Sequence, residues 1–147
     1  MTDKLTALAS ALDWAVGVEG MLAQRPQIAL AAKHLVHGGL YARTVHIPAG
    51  TMLTGAMLNS DNICIVCGDI TVTSGAEVVR LTGYHTIPAC AGQKRVGFAH
   101  SDTWWTTLVA TDSTDISAIE DAATSESDRL QTRQVELPNQ EAACLLS

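Results

Sequence analysis

Between residues 39 and 111 the chain is interrupted by turn-forming residues every few positions, and this punctuation restricts its fold more than any other feature. Apolar residues alternate with period two over residues 40–47, the spacing of a strand with one buried face. Pro48, Ala49, Gly50 and Thr51 form a turn, because proline fixes φ and glycine supplies the unusual conformer. Residues 52–57 and 62–67 read as strands, Gly68 and Asp69 as a turn, and residues 70–73 as a resumed strand. Ser74, Gly75 and Ala76 read as a hairpin connection into 77–81. Gly83 precedes a strand at 84–87, residues 88–92 form a loop, and 95–99 and 103–111 complete the set. About eight short strands with no intervening long helices predict an antiparallel sandwich or barrel and argue against a parallel α/β sheet.

Helical patterns flank this block. Leu5, Leu8, Leu12, Ala15 and Leu22 recur at helical spacing, predicting an amphipathic helix over residues 3–22. A second helical stretch is expected from Pro26, with Ile28, Ala31, Ala32 and Leu35 as its buried stripe and Gly38 and Gly39 as its stop. Past Asp112 the composition shifts to Ser, Thr, Asp and Glu. Ile116, Ile119, Ala123 and Leu130 would line one face of a helix from about 115 to 132, capped by Thr114 or Asp115. Residues 133–147 read as a tail whose end, 142–146, is apolar. The chain thus divides into an N-terminal helical segment (1–38), a β-domain (39–112) and a C-terminal helix and tail (113–147).

With 147 residues, 47% of them hydrophobic, there is enough apolar surface for one core and one domain. Only 16% are charged, which suggests that a second subunit covers some of the surface. The net charge is -6 and Lys94-Arg95 is the only basic cluster, a composition that argues against a nucleic-acid backbone as partner. Asp3, Asp13 and Glu19 break any signal-peptide core, and no apolar run reaches membrane-spanning length, so no membrane partner is expected.

The block 39–107 resembles the small cupin-like proteins encoded by bacteriophages and prophages. The resemblance is carried by Gly39-Leu40-Tyr41-Ala42-Arg43, Ile47-Pro48-Ala49-Gly50-Thr51, Leu53-Thr54-Gly55-Ala56, Cys64-Ile65-Val66 before Gly68, Lys94-Arg95-Val96-Gly97, and Asp102-Thr103 before Trp105-Thr106. It implies an all-β fold, a cupin-like double-stranded β-helix (jelly roll) with N-terminal and C-terminal helical additions. It also implies a divalent metal held by histidines and a carboxylate, since imidazoles on facing strands can surround one ion. In this sequence the matching positions carry Leu58, Asp61 and Asn62 in the first motif and Arg95 in the second. Leucine coordinates nothing, and a permanent cation repels a metal. No metal and no cofactor is therefore expected.

The remaining reactive residues have plainer readings. Cys64 and Cys67 form a C-x-x-C, but alternate strand positions put them on opposite faces, so two buried thiols are expected rather than a zinc or redox pair. His34 and His37 fall in or after the second helical stretch, and His46 is expected to face solvent or a helix. His85 lies between Tyr84 and Thr86 at the edge of the second motif, within reach of the cavity mouth. His100, Ser101 and Asp102 are sequential neighbours, for which a turn hydrogen bond is simpler than a triad. Of Trp104 and Trp105, one should point in and one out, and Trp14 is either a core anchor or a subunit contact.

Arg95 carries the main open question. Pointing into the barrel it needs an anion, supplied either by Asp61 or by a bound carboxylate or phosphate, with Asn62, Tyr84 and His85 as further ligand-binding candidates. Three functions follow. The first is a non-catalytic phage-type protein acting by binding or assembly. It would be a virion component or a host-cytoplasmic accessory protein, partnered by itself as a homo-oligomer or by other phage proteins. The second is a binder of a small anion or nucleotide through Arg95. The third is a metal-dependent isomerase or dioxygenase with a rearranged site.

Overall fold

The computed structural model describes residues 2–74 and 76–130. Helix α1 (Thr2–Ala23) leads into a seven-stranded antiparallel sheet: β1 (Ala32–His37), β2 (Leu40–Ile47), β3 (Met52–Thr54), β4 (Asn62–Ser74), β5 (Glu77–Ala89), β6 (Val96–Ala99) and β7 (Thr103–Ala110). Helix α2 (Ile116–Ala123) and a 3-10 turn (Ser127–Arg129) follow. The strand order is β1-β2-β7-β4-β6-β3, with β5 along the other edge of β4. The predicted all-β jelly roll with helical additions at both ends is the fold observed.

Strand β4 makes the sheet curl. Its first half, Ile63–Cys67, pairs with β7, while Ile70–Val72 pairs with β6. The strand therefore leaves one wall and enters the facing one, and Gly68 marks the crossing. A Cβ there would lie 2.7 Å from Thr103 Cα and 2.8 Å from the Asp102 carbonyl oxygen, and its φ is +146°. Only glycine permits this approach. Thr103, fully buried, seals the corner: its hydroxyl accepts from the Asp69 N–H at 3.2 Å and donates to the Ser101 carbonyl at 3.0 Å. Gly68-Asp69 is thus not the turn the sequence suggested but the bend of one thirteen-residue strand. In the same way, segments 77–81 and 84–87 merge into β5; the two mergers reduce the expected eight strands to six, and β1 makes seven.

The second predicted helix is also a strand. Residues 32–37 pair with β2 from Ala32↔Val45 to His37↔Leu40. Gly38 (φ 59°) and Gly39 (φ 75°) are both left-handed, the requirement of a two-residue hairpin turn whose twist matches the strands. Leu35, expected in a buried stripe, is 46% exposed. The C-terminal helix is shorter than expected. Asp115 caps it by accepting from the Ala118 N–H, and it stops at Ala123 because Thr124 turns extended and donates its hydroxyl to the Met57 carbonyl at 2.6 Å. The tail, including Cys144, lies outside the described residues.

Val45, Ile47, Val66, Ile70, Val72, Leu81 and Ala99 form the core between the two walls. Among the described residues no helix is long and apolar enough to cross a membrane.

Candidate functional site: an arginine-lined cavity inside the barrel

A cavity of about 740 Å³ lies between the walls and extends out to α1, residues 25–30 and the segment after α2. Three inward rows of side chains from β2, β7 and β4 line one side of it, each set by strand register. Val45 faces Trp105; Arg43 faces Thr107 and Thr107 faces Cys64; Tyr41 faces Val109 at the polar end, with Asn62 next on β4. The middle row is polar across three adjacent strands. Leu53, Ile70, Val72, Arg95 and Gly97 line the opposite side, and Glu120 and Thr124 approach from α2 and its end.

Arg95 enters from the segment just before β6. Its guanidinium stands 5.8 Å from the centre of the Trp105 ring, within cation–π range. One Nη donates to Gln93 Oε1 at 3.2 Å and to the Pro88 carbonyl at 3.5 Å, and the other points at Cys64 Sγ at 3.8 Å. Its Nε is buried with no hydrogen-bond partner, and among the described residues no carboxylate lies within ion-pair distance. A buried charged donor left unsatisfied is costly, typically about 1–3 kcal/mol or more. Burial pulls the Arg43 pKa below the ordinary value, opposed by the nearby Tyr41 and Glu120. The cation field reaches His34, whose pKa is lowered first by burial and then by Arg43; its ring nitrogen lies 2.6 Å from the Tyr41 hydroxyl.

The expected internal partner of Arg95 does not reach it. Asp61 is exposed and accepts from the Ala91 N–H at 2.8 Å, tying down the loop at one end of the cavity. Asn62 does line the cavity; its amide donates to the Ser60 carbonyl, and its oxygen faces the Cys64 thiol at 3.5 Å. Tyr84 is 68% exposed on β5, away from the cavity. His85, placed within reach of the mouth by the sequence reading, contacts the Thr82 carbonyl at 2.8 Å and does not line the cavity. Both sit in the middle of β5, whereas the β5 residue that lines the cavity is Ala89, at its end.

Cys64 is buried as expected, but Cys67 is exposed. Trp105 points in and Trp104 is half exposed beside His46, whose other neighbour is Asp102 at 3.3 Å. His100 bonds the Thr71 hydroxyl on β4 at 2.7 Å, a long-range contact rather than the hydrogen bond within its own turn that the sequence suggested. Trp14, at 54% exposure, is not a core anchor.

The sequence reading missed Arg43, Thr107, Trp105 as a lining ring, and Glu120. The signal for Arg43 was present: it shares the alternation of Tyr41, Val45 and Ile47, so a strand that buries those three must turn Arg43 inward. Glu120 had no such signal, because its placement depends on where α2 docks.

The donor set does not suit the metal that the resemblance implies. Among the described residues no three His, Cys, Asp or Glu side chains come together as a metal cage. The two interior guanidiniums would oppose a cation.

Two walls of a curled antiparallel sheet around a central cavity define a cupin-like fold. Several solved structures are similar to part of the chain. KdgF from Halomonas sp. is 21% identical over 63% of this chain and 88% of its own, with a TM-score of 0.50. A cupin superfamily protein from Desulfitobacterium hafniense is 10% identical over 63% and 86%, with a TM-score of 0.48. The cupin domain of Cnp3 from Schizosaccharomyces pombe is 23% identical over 62% and 72%, with a TM-score of 0.46. No family model matches the chain, and no curated protein matches it.

Proposed function

We propose that this protein binds a small organic anion inside its barrel, with Arg95 as the anchoring group. The observation that carries this reading is the Arg95 guanidinium: interior, stacked near Trp105, with an unsatisfied buried Nε and no carboxylate partner among the described residues. An anion accepting from it gains a charge-assisted hydrogen bond and relieves the desolvation cost. Thr107, Asn62 and Tyr41 surround the same space with groups that orient a ligand, and the remaining lining is largely apolar, the usual make-up of a small-molecule site.

Isothermal titration with hexanoate, inorganic phosphate and adenosine monophosphate tests the reading. At least one of the three is expected to bind at one per chain, and Arg95→Gln to weaken it about 10- to 100-fold. The melting temperature of the unliganded variant should stay the same or rise. Equal binding by wild type and variant, or binding of none of the three, would refute the proposal.

Assembly without catalysis, as a phage component or accessory protein, is the second reading. Helix α1 favours it by leaving Trp14, Val16 and Met21 more than half exposed. If α1 mediates self-association, mass photometry will show an oligomer that Trp14→Glu reduces to single chains; a wild-type chain that is already monomeric excludes this use of the helix.

A further inference from the structure

We infer that the anion is a monocarboxylate carrying a sizeable apolar body, held carboxylate-first at Arg95. The inference rests on the proposed binding role and adds the ligand's chemistry. Three observations lead to it.

The first is charge. Glu120, buried to 5% exposure, lines the same cavity and its charge supports Arg43. Of the two interior guanidiniums, Arg95 alone lacks a carboxylate neighbour among the described residues. Lys94 and Arg129, which also line the cavity, are matched by Glu19 and Glu126, so among the described residues, apart from the exposed Arg25, the unmatched charge is the single positive one of Arg95. A monoanion balances it. A phosphate dianion would bring a second negative charge into a space that already holds Glu120, a like-charge burial that is strongly unfavourable.

The second is the distribution of polarity. Tyr41, Asn62, Glu120 and Thr124 lie toward the α2 end, whereas Val45, Ile47, Leu53, Ile70 and Val72 line the other end. Arg95 and Thr107 stand between. A carboxylate at Arg95 leaves its substituent nowhere favourable to go except the aliphatic end. Nucleosides carry too many hydroxyl and ring polar atoms to be satisfied there.

The third is size. About 740 Å³ is far more than a bare carboxylate needs and falls in the range that encloses molecules of drug size. Acetate would leave most of the apolar lining uncovered.

The test is calorimetric titration of the full chain with acetate, hexanoate and decanoate below micellar concentration, alongside phosphate and adenosine monophosphate, repeated on Arg95→Gln and on Leu53→Asn. Affinity is expected to rise about tenfold for each two methylenes added. Arg95→Gln should weaken every chain length by a common factor, leaving the slope with length unchanged. Leu53→Asn should flatten that slope while sparing acetate. If phosphate or adenosine monophosphate binds in an Arg95-dependent way and the acids show no length dependence, this inference falls and the anion-binding role stands. A length dependence indifferent to Arg95 overturns the carboxylate-first placement. Absence of binding by every probe removes both the inference and the role beneath it. Circular dichroism on each variant confirms the strand content, and Leu53→Ala replaces Leu53→Asn if the latter does not fold.

Discussion

Gly68→Ala is expected to leave the chain unable to form the curled sheet, with a loss of about 4 kcal/mol or more of stability, beyond what an ordinary point change costs. The added methyl meets backbone rather than a movable side chain: Thr103 Cα at 2.7 Å and the Asp102 carbonyl oxygen at 2.8 Å. Rotamer changes cannot relieve such a clash, and a φ of +146° is already unfavourable for any residue bearing a Cβ. The consequence reaches beyond one turn, because β4 changes partner from β7 to β6 at this point. Forcing the two strands apart there separates the walls and opens the core between Val66 and Ile70. Urea denaturation followed by far-ultraviolet circular dichroism measures the effect, and a soluble variant with an unchanged midpoint would show that Gly68 is no hinge. Gly83→Ala, in β5, is a fitting comparison, since its φ is also positive (84°) but nothing lies within 4 Å of the added atom. It should cost about 1 kcal/mol, the conformational term alone.

Lys94→Met should be the next most damaging change, at about 3 kcal/mol. The Lys94 side chain is only 2% exposed and joins two carboxylates: Glu19 of α1, in a close ion pair, and Glu126 before the 3-10 turn at 3.0 Å. Arg129 bridges the same two carboxylates from outside at 3.1 Å each. Glu126 also accepts from the Met57 N–H at 2.7 Å. This cluster fastens α1 and the C-terminal segment onto the same barrel wall. Methionine fills the volume but leaves two partly buried carboxylates facing each other with only the exposed Arg129 between them. The double variant Lys94→Met/Glu126→Gln should recover part of the loss, so a thermodynamic cycle will show coupling of about 1 kcal/mol or more. Additive losses would mean that packing, not charge, explains Lys94.

The same cluster gives a pH dependence. Burial raises the Glu126 pKa, but the Met57 N–H, Lys94 and Arg129 together outweigh it, and the carboxyl ends below its ordinary value. A depressed folded-state pKa means that the contribution is complete above the unfolded glutamate value, about 4.3, and is lost as pH falls through the lower folded value. Stability should therefore drop on acidification through that window, with a shallower drop in Glu126→Gln.

Much of the fold was legible in the sequence because strand signals are local. Alternation over residues 40–47 predicts β2 to the residue, and Pro48 and Gly50 mark the turn after it. The errors share one cause: glycine has several structural uses. Gly68 reads as a turn residue but serves a close backbone approach, and Gly38-Gly39 reads as a helix stop but forms a hairpin turn. Both uses are decided by the partner strand, which a local pattern does not contain. The site was half legible. Motif position placed Arg95 and Asn62 in the barrel, and alternation alone could have added Arg43. Asp61 was expected to reach Arg95, but its carboxylate caps the Ala91 N–H one loop away, a choice set by loop geometry rather than by residue type. Tyr84 and His85 were drawn to the cavity by closeness in sequence to the second motif, whereas neither lines it: Tyr84 is exposed and His85 turns to the Thr82 carbonyl.

The cupin-like barrel here surrounds two guanidiniums, a thiol and the Thr107 hydroxyl, and carries Leu58, Asn62 and Arg95 where the resemblance calls for histidines. Crystals grown with 6-bromohexanoate test that interior most directly, because bromine is located by its anomalous scattering. The expected result is a bromine peak between Ile47, Ile70 and Val72, with the carboxylate accepting from Arg95. A peak confined to the outer surface, or a cation inside the barrel held by three or more side chains, would contradict it.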